Sequence, residues 1–101
     1  MRKLFLLLYG DVAGTREQVK EAVNSCPYVI TWRYDLPHSF YLVSEASAKE
    51  IATSLHEKLP KGRFVVVEAT EDFWGWGSQD TWYFFRNKKV KPAELNKSAP
   101  S

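Results

Sequence analysis

The sequence contains a single cysteine, Cys26, and only two histidines among its 101 residues. One cysteine excludes an internal disulfide framework, on which many small secreted domains depend. A reducing compartment is the simplest expectation, so we predict a cytoplasmic protein. Cys26 ends an apolar helical stripe just before Pro27 and is therefore predicted to be a buried structural thiol.

Long apolar runs are also missing. The longest, from Leu4 to Tyr9, has six residues and is interrupted by Gly10 and Asp11. A signal peptide needs about 7–15 apolar residues, and a membrane-spanning helix needs about 18. The run is therefore predicted to be a strand buried on both faces.

Several fingerprints of enzymes and cofactor sites are absent. The chain has no phosphate-binding loop, no GxGxxG, no paired CxxC and no HExxH. The predicted third strand, residues 39–43, does not match the aromatic motif of RNA-recognition modules. No organic cofactor is predicted, and Mg²⁺ is the ion for which a candidate ligand exists.

Charge is distributed unevenly along the chain. Residues 86–101 hold five basic residues and one acid, whereas residues 1–85 hold nine basic and eleven acidic residues. A basic patch is the usual footprint of nucleic-acid binding. Such a patch is expected in the tail or in a local cluster that the totals conceal.

The order of elements predicts the fold. Strands are expected at 3–9, 28–34, 39–43 and 63–69. Helices are expected to begin at the capping boxes Thr15/Gln18 and Ser47/Glu50. Two right-handed βαβ crossovers joined by a hairpin give an α+β, ferredoxin-like βαββαβ sandwich, with an antiparallel four-stranded sheet and two helices on one face. We assign it to residues 1–86, and assign 87–101 to a basic, flexible tail.

The open face of this sheet needs a cover. The first and fourth strands are apolar on both faces, and an exposed apolar sheet face is unusual in a soluble monomer. Either a second copy of the chain or the segment that follows the fourth strand is expected to cover it.

That segment, residues 73–85, is strongly aromatic. Seven of its thirteen residues are aromatic, and Ser78 is placed to cap a short helix running to about Arg86. The favoured interpretation is that the rings complete the core or a dimer interface; the alternative is stacking on bases or a flat ligand. The residues concerned are Trp74, Trp76, Trp82 and Phe85.

Asp11 is the candidate catalytic and metal-binding residue. It follows the first strand, where a carboxylate is well placed for Mg²⁺, although a loop Asp bonded to local N–H groups is the simpler interpretation. Glu68, Glu71 and Asp72 are interpreted as solvated rather than as further ligands. The histidines, His38 beside Asp35 in the hairpin and His56, are interpreted as polar surface.

Nucleic-acid contacts, if made, have candidate residues in two places. One place is the second strand, and the other is the tail. The residues are Trp32, Arg33, Lys88, Lys89 and Lys91.

Four stretches resemble the small Cas2-like proteins, and most closely their SinR-like branch. They are Leu6-Leu7-Leu8-Tyr9-Gly10-Asp11-Val12, Val29-Ile30-Thr31-Trp32, Phe40-Tyr41-Leu42-Val43 and Val65-Val66-Val67-Glu68-Ala69-Thr70. The resemblance implies a ferredoxin-like fold and a homodimer. It also implies an Asp, here Asp11, near the dimer axis, which in Cas2 proteins is assigned to metal-dependent nuclease activity.

The chain departs from the family pattern just before Asp11. The family usually has Tyr-Asp, whereas this chain has Gly10-Asp11 with Tyr9 one place earlier, and its body is acidic. These departures favour a homodimeric binding or assembly module, with nucleic acid as a candidate partner, over a metal-dependent endonuclease. A protein-interaction domain that uses the aromatic segment is the other alternative.

Overall fold

The computed structural model describes residues 1–70 and 72–89. Its strands are β1 (Lys3–Tyr9), β2 (Val29–Arg33), β3 (Ser39–Ser44) and β4 (Phe64–Ala69), and its helices are α1 (Arg16–Ser25), α2 (Ala48–Lys58) and α3 (Gln79–Asn87). A single 3-10 turn, Asp11–Ala13, joins β1 to the loop before α1. The predicted contact residue Lys91 and the acidic residue Glu71 lie outside the described residues.

The four strands form one antiparallel sheet in the order β2-β3-β1-β4. One strand is therefore inserted between the two strands of each βαβ unit, which gives the predicted ferredoxin-like α+β fold. β1 is central and pairs with β3 on one side and β4 on the other. β4 is an edge strand of the described sheet.

Both predicted capping boxes are present. The Thr15 side chain accepts from the Gln18 backbone N–H, and the Gln18 side chain accepts from the Thr15 N–H in return. Ser47 and Glu50 make the same reciprocal pair at the start of α2. These bonds satisfy N–H groups that have no partner inside the helix, so the local sequence determines where each helix begins.

The main core lies between the sheet and the first two helices. Alternate residues of β1 point into it, and α1 and α2 contribute the apolar stripes that the sequence predicts. Its largest fully buried members are Phe5, Leu7, Val19, Val23, Trp32, Phe40, Leu42, Ile51 and Leu55. Cys26 is buried in this core, as predicted.

The other face of the sheet is partly covered by α3. A second cluster there joins Leu4, Tyr41 and Val43 to Phe84 of the helix. Of the two predicted covers, the structure therefore places the aromatic segment on the sheet, and its helix begins at the predicted cap, where Ser78 accepts from the Thr81 N–H. α3 continues to Asn87 and so crosses the predicted domain boundary at residue 86.

β2 does not follow the strict alternation that its sequence predicts. The register with β3 shifts between Val29 and Thr31. Val29 consequently packs against the main core, whereas Ile30 is 40% exposed. Strict alternation along the strand predicts that Ile30 and Trp32 point to the same side. The extra residue of a β-bulge changes which face each later residue occupies, so Ile30 is exposed whereas Trp32 is buried, and that prediction is wrong.

The longest helix within residues 1–70 and 72–89 is α2, with 11 residues. None of the helices in this part of the chain is long and apolar enough to cross a membrane.

Candidate functional site

The cover that α3 provides stops partway across the sheet. Leu8 of β1 and the β4 residues Val65 and Val67 lie on the same face as Leu4 but beyond the helix, and they are 46%, 57% and 44% exposed. Leu8 is paired with Val65, and Leu6 with Val67, across the two strands. We call Leu8, Val65 and Val67 the apolar strip.

The strip lies beside an unpaired edge. Within residues 1–70 and 72–89, no strand pairs with the outer side of β4. An edge strand presents a row of backbone N–H and C=O groups that can pair with another chain. β4 therefore combines an apolar face with a free hydrogen-bonding edge.

A second feature is an open groove between the N-terminal end of β1, the C-terminal end of β4 and α3. Its volume is about 830 Å³. Both aromatic and basic side chains line it, and we call it the aromatic–basic groove. Its lining includes Arg2, Lys3, Glu68, Phe73, Trp74, Trp82, Phe85, Arg86 and Lys88.

The rings in the groove form a continuous group. The Trp82 ring is stacked on the Phe73 ring, with 6.0 Å between their centroids and 15° between their planes. Trp82 also contacts Trp74, with 6.0 Å between the centroids and 32° between the planes. Phe85 meets Phe73 edge-to-face at 4.9 Å. Offset and edge-to-face contacts are the favourable arrangements of aromatic rings, so these contacts stabilise the packing of the group.

The two predicted stacking residues Trp82 and Phe85 do lie on one side of α3, with their rings 5.9 Å apart. Trp74 and Trp76 are the most exposed aromatic residues, at 85% and 93%. Trp74 lines the groove, whereas Trp76 does not. Three of the four predicted stacking residues therefore line the groove, and Trp76 lies outside it.

A polar network holds α3 on the sheet. Arg33 Nε donates to Thr81 Oγ1 at 3.0 Å, and its Nη2 donates to Ser78 Oγ at 3.2 Å. The Thr81 hydroxyl donates to Asp35 Oδ2 at 3.0 Å. Arg33, predicted as a nucleic-acid contact, is thus engaged within the protein, and it connects β2 to the start of α3.

Tyr41 lies next to this network. Its ring meets Phe85 edge-to-face at 4.8 Å. Burial raises the pKa of the Tyr41 phenol above its usual 10.0; the nearby Asp35 carboxylate raises it further, and Arg33 lowers it. The phenol proton is therefore held more tightly in the folded protein than it is in water.

Trp32 does not present its ring to a ligand. Its side chain is 2% exposed, and its Nε1–H donates to Asn24 Oδ1 at 2.7 Å. The ring is enclosed by Tyr34 and Phe40. The structure thus corrects the prediction that Trp32 contacts bases, because the aromatic side chain points into the main core.

Asp11 lies in the 3-10 turn after β1, and its side chain is 91% exposed. Its Oδ1 lies 2.6 Å from Nε2 of His38, which adopts a left-handed backbone conformation in the hairpin. The pair was not foreseen, because the sequence places the two residues 27 positions apart. It gives Asp11 a partner other than the local backbone.

A Mg²⁺ site requires more than this pair. Mg²⁺ binds octahedrally through oxygen ligands, and His38 occupies one Asp11 oxygen. Residues 1–70 and 72–89 contain no group of three or more side chains placed to hold a metal. Within the described residues, Asp11 is therefore not part of a sufficient ligand set, and the predicted site depends on a second subunit.

Sequence reasoning missed Arg2, Phe73 and Arg86 in the aromatic–basic groove. Arg2 Nη1 donates to the backbone carbonyl of Lys88 at 3.1 Å, across 86 positions of the chain. Alternation along β1 places Arg2 on the open face with Leu4, which is a signal that could have been found. The return of Lys88 to that point depends on how α3 docks, which the sequence pattern does not encode.

Comparisons with protein-family models, with curated proteins and with solved structures find no match to this chain. The Cas2-like resemblance consequently remains a prediction from the four sequence stretches.

Proposed function

We propose that this chain is a cytoplasmic, Cas2-like homodimeric binding or assembly module that contacts nucleic acid. The observation that carries the proposal is the apolar strip beside the free edge of β4. Leu8, Val65 and Val67 are each between 44% and 57% exposed. Burial of apolar surface contributes about 25 cal/mol per Å², so a partner that covers the strip is favoured.

Symmetry limits how two copies can pair along β4. In an antiparallel pair, residues that face each other point to the same side of the sheet. A two-fold axis perpendicular to the sheet therefore passes midway between one residue and its own copy on the partner strand. With the axis at Val66, Val65 of each protomer faces Val67 of the other.

This register extends the apolar strip across the interface. Leu8 is already paired with Val65 and Leu6 with Val67. Both of these apolar pairs are then extended into the partner, because Val65 of one protomer is the cross-strand neighbour of Val67 in the other. On the other face, Glu68 would be opposite Phe64, so no like charges face each other. The result is a continuous eight-stranded sheet.

Face-to-face stacking of two complete sheets is less favourable. α3 occupies part of the open face through Phe84, which is fully buried against Leu4 and Val43. A second sheet could approach only the part that α3 leaves uncovered. Pairing along β4 requires no displacement of the helix.

The nuclease alternative fits this dimer poorly. The Gly10 N–H donates to the Arg63 carbonyl, so Asp11 lies beyond the start of β4. Arg63 is three residues from Val66, or about 10 Å at roughly 3.3 Å per residue. The two Asp11 carboxylates would be about 20 Å apart along the strands, too far to share a cation at about 2.1 Å from each oxygen.

Light scattering on matched variants tests the proposal. The native chain is expected to have about twice its mass of 11.7 kDa. Val67→Lys places a charge in the interface and should shift the mass towards the monomer. Val12→Lys is the control, since Val12 is 71% exposed in the turn after β1 and lies off the strip; it should leave the dimer intact. A native monomer at all concentrations would refute the homodimer.

A further inference from the structure

The aromatic–basic groove offers two kinds of recognition in one place. Trp74 presents an exposed ring, and its centroid lies 6.0 Å from that of Trp82. Every nucleobase has a flat face that can stack on such a ring, and each stacked base contributes substantially to affinity. The groove lining thus includes an exposed ring, Trp74, that contacts a packed aromatic group and can stack on a base.

The basic residues around the rings supply the second kind. Arg2, Arg86 and Lys88 line the groove, and among residues 1–70 and 72–89 Glu68 is the one acidic residue in its lining. Lys3 also lines it, but its Nζ lies 5.7 Å from the Phe5 ring. A polyanion is therefore favoured over a neutral peptide as the occupant, because an uncharged partner would leave this excess positive charge without compensation.

A hydrogen bond connects Arg2 to the C-terminal cap of α3. One of its guanidinium N–H groups donates to the Lys88 carbonyl, and a guanidinium carries five N–H donors in total. Its planar fork matches phosphate geometry. The hydrogen bond thus orients a phosphate-binding group towards the same groove that Trp74 borders.

We propose that the aromatic–basic groove binds single-stranded nucleic acid, with a base stacked on Trp74 and the phosphates directed to Arg2, Arg86 and Lys88. A duplex hides its base faces within its own stack, so it cannot use Trp74 in this way. The volume of about 830 Å³ is within the range of about 300–1,000 Å³ found for ligand sites. This inference rests on the proposed contact with nucleic acid and names its site and its class of ligand.

Fluorescence anisotropy with a labelled oligodeoxythymidine tests the stacking part. Trp74→Ala should weaken binding about 5- to 150-fold, the loss of one stacked base. Trp76→Ala is the matched control, since Trp76 is even more exposed but lies outside the groove, and its affinity should be unchanged. Because both side chains are almost fully exposed, neither variant is expected to disturb folding.

The salt dependence tests the phosphate part. Arg86→Gln should reduce the slope of log affinity against log salt by about 0.7, the value for one contact to a single strand. A blunt-ended duplex of matched length should bind more weakly than the single strand, and its binding should not respond to Trp74→Ala.

The outcomes separate this inference from the broader proposal. Nucleic-acid binding that is indifferent to Trp74, or that weakens equally in Trp76→Ala, would overturn the groove and leave nucleic-acid contact in place. No binding of either probe at low salt would overturn both, while the dimer measurement would stand on its own.

Discussion

Leu8 and Val65 are directly opposite each other on neighbouring strands, and both are about half exposed, at 46% and 57%. At the other end of the same two strands, Leu4 is opposite Ala69 and is only 2% exposed. The exposed fractions differ because α3 covers the end of the strands at Leu4 and does not cover the end at Leu8. One sheet face thus has a half that α3 covers and a half that α3 leaves exposed, and the exposed half is the surface on which the proposed dimer depends.

The attachment of α3 should depend strongly on Phe84. Its side chain is fully buried against the sheet, and Phe→Ala in a core costs about 3–5 kcal/mol. We expect Phe84→Ala to lower the free energy of unfolding by that order in a urea titration. Tyr83→Ala, one position earlier and half-buried, should cost clearly less; equal losses would mean that α3 does not dock through Phe84.

The Thr81 hydroxyl should contribute separately from packing. It accepts from Arg33 and donates to Asp35, and Thr81 is only 4% exposed. Thr81→Val keeps the shape but removes both bonds, so it should cost about 1–3 kcal/mol. The control is Thr53→Val on the exposed side of α2, which should be close to neutral in the same titration. If Thr81→Val left the free energy of unfolding unchanged, the hydrogen bonds of Thr81 would not stabilise the fold.

Alkaline pH should weaken the fold through Tyr41. Because burial raises the pKa of its phenol above 10.0, the folded protein holds this proton more tightly than the unfolded chain. Its contribution is fully present below about pH 10 and is lost as pH rises through the folded pKa. Unfolding free energies measured from neutral to alkaline pH should fall less steeply for Tyr41→Phe. Identical slopes in the two proteins would contradict the raised pKa.

Trp32 should behave as a core residue. Trp32→Phe removes the hydrogen bond to Asn24 and part of the ring, so we expect a loss of about 1–3 kcal/mol in stability. Affinity for an oligonucleotide should not change, because the ring is buried. Reduced affinity with unchanged stability would restore Trp32 as a contact and would be inconsistent with this structure.

The sequence could predict those parts of the fold that depend on local signals. The bounds of β1, the two capping boxes and the cap at Ser78 all depend on residues within a few positions of one another. The bulge at Ile30 was not predicted, because the periodicity of β2 alone does not contain the register with β3. Tertiary pairing determined that feature.

The candidate sites follow the same division. Three of the four predicted stacking residues line one groove, because helical spacing places Trp82 and Phe85 on one side of α3. The proximity of Arg2 to Lys88, and of Asp11 to His38, joins distant parts of the chain. Such contacts depend on the packed fold rather than on any local pattern.

The central claim is that two copies pair along β4, and a single engineered cysteine tests it most directly. In the proposed register Val66 faces its own copy, at the Cα separation of about 4.5–5.5 Å that suits a disulfide. The native Cys26 is 4% exposed and should not cross-link. The account predicts a covalent dimer for oxidised Val66→Cys on non-reducing electrophoresis, and much less for Val67→Cys. A Val66→Cys protein that stays monomeric under the same oxidising conditions would contradict it.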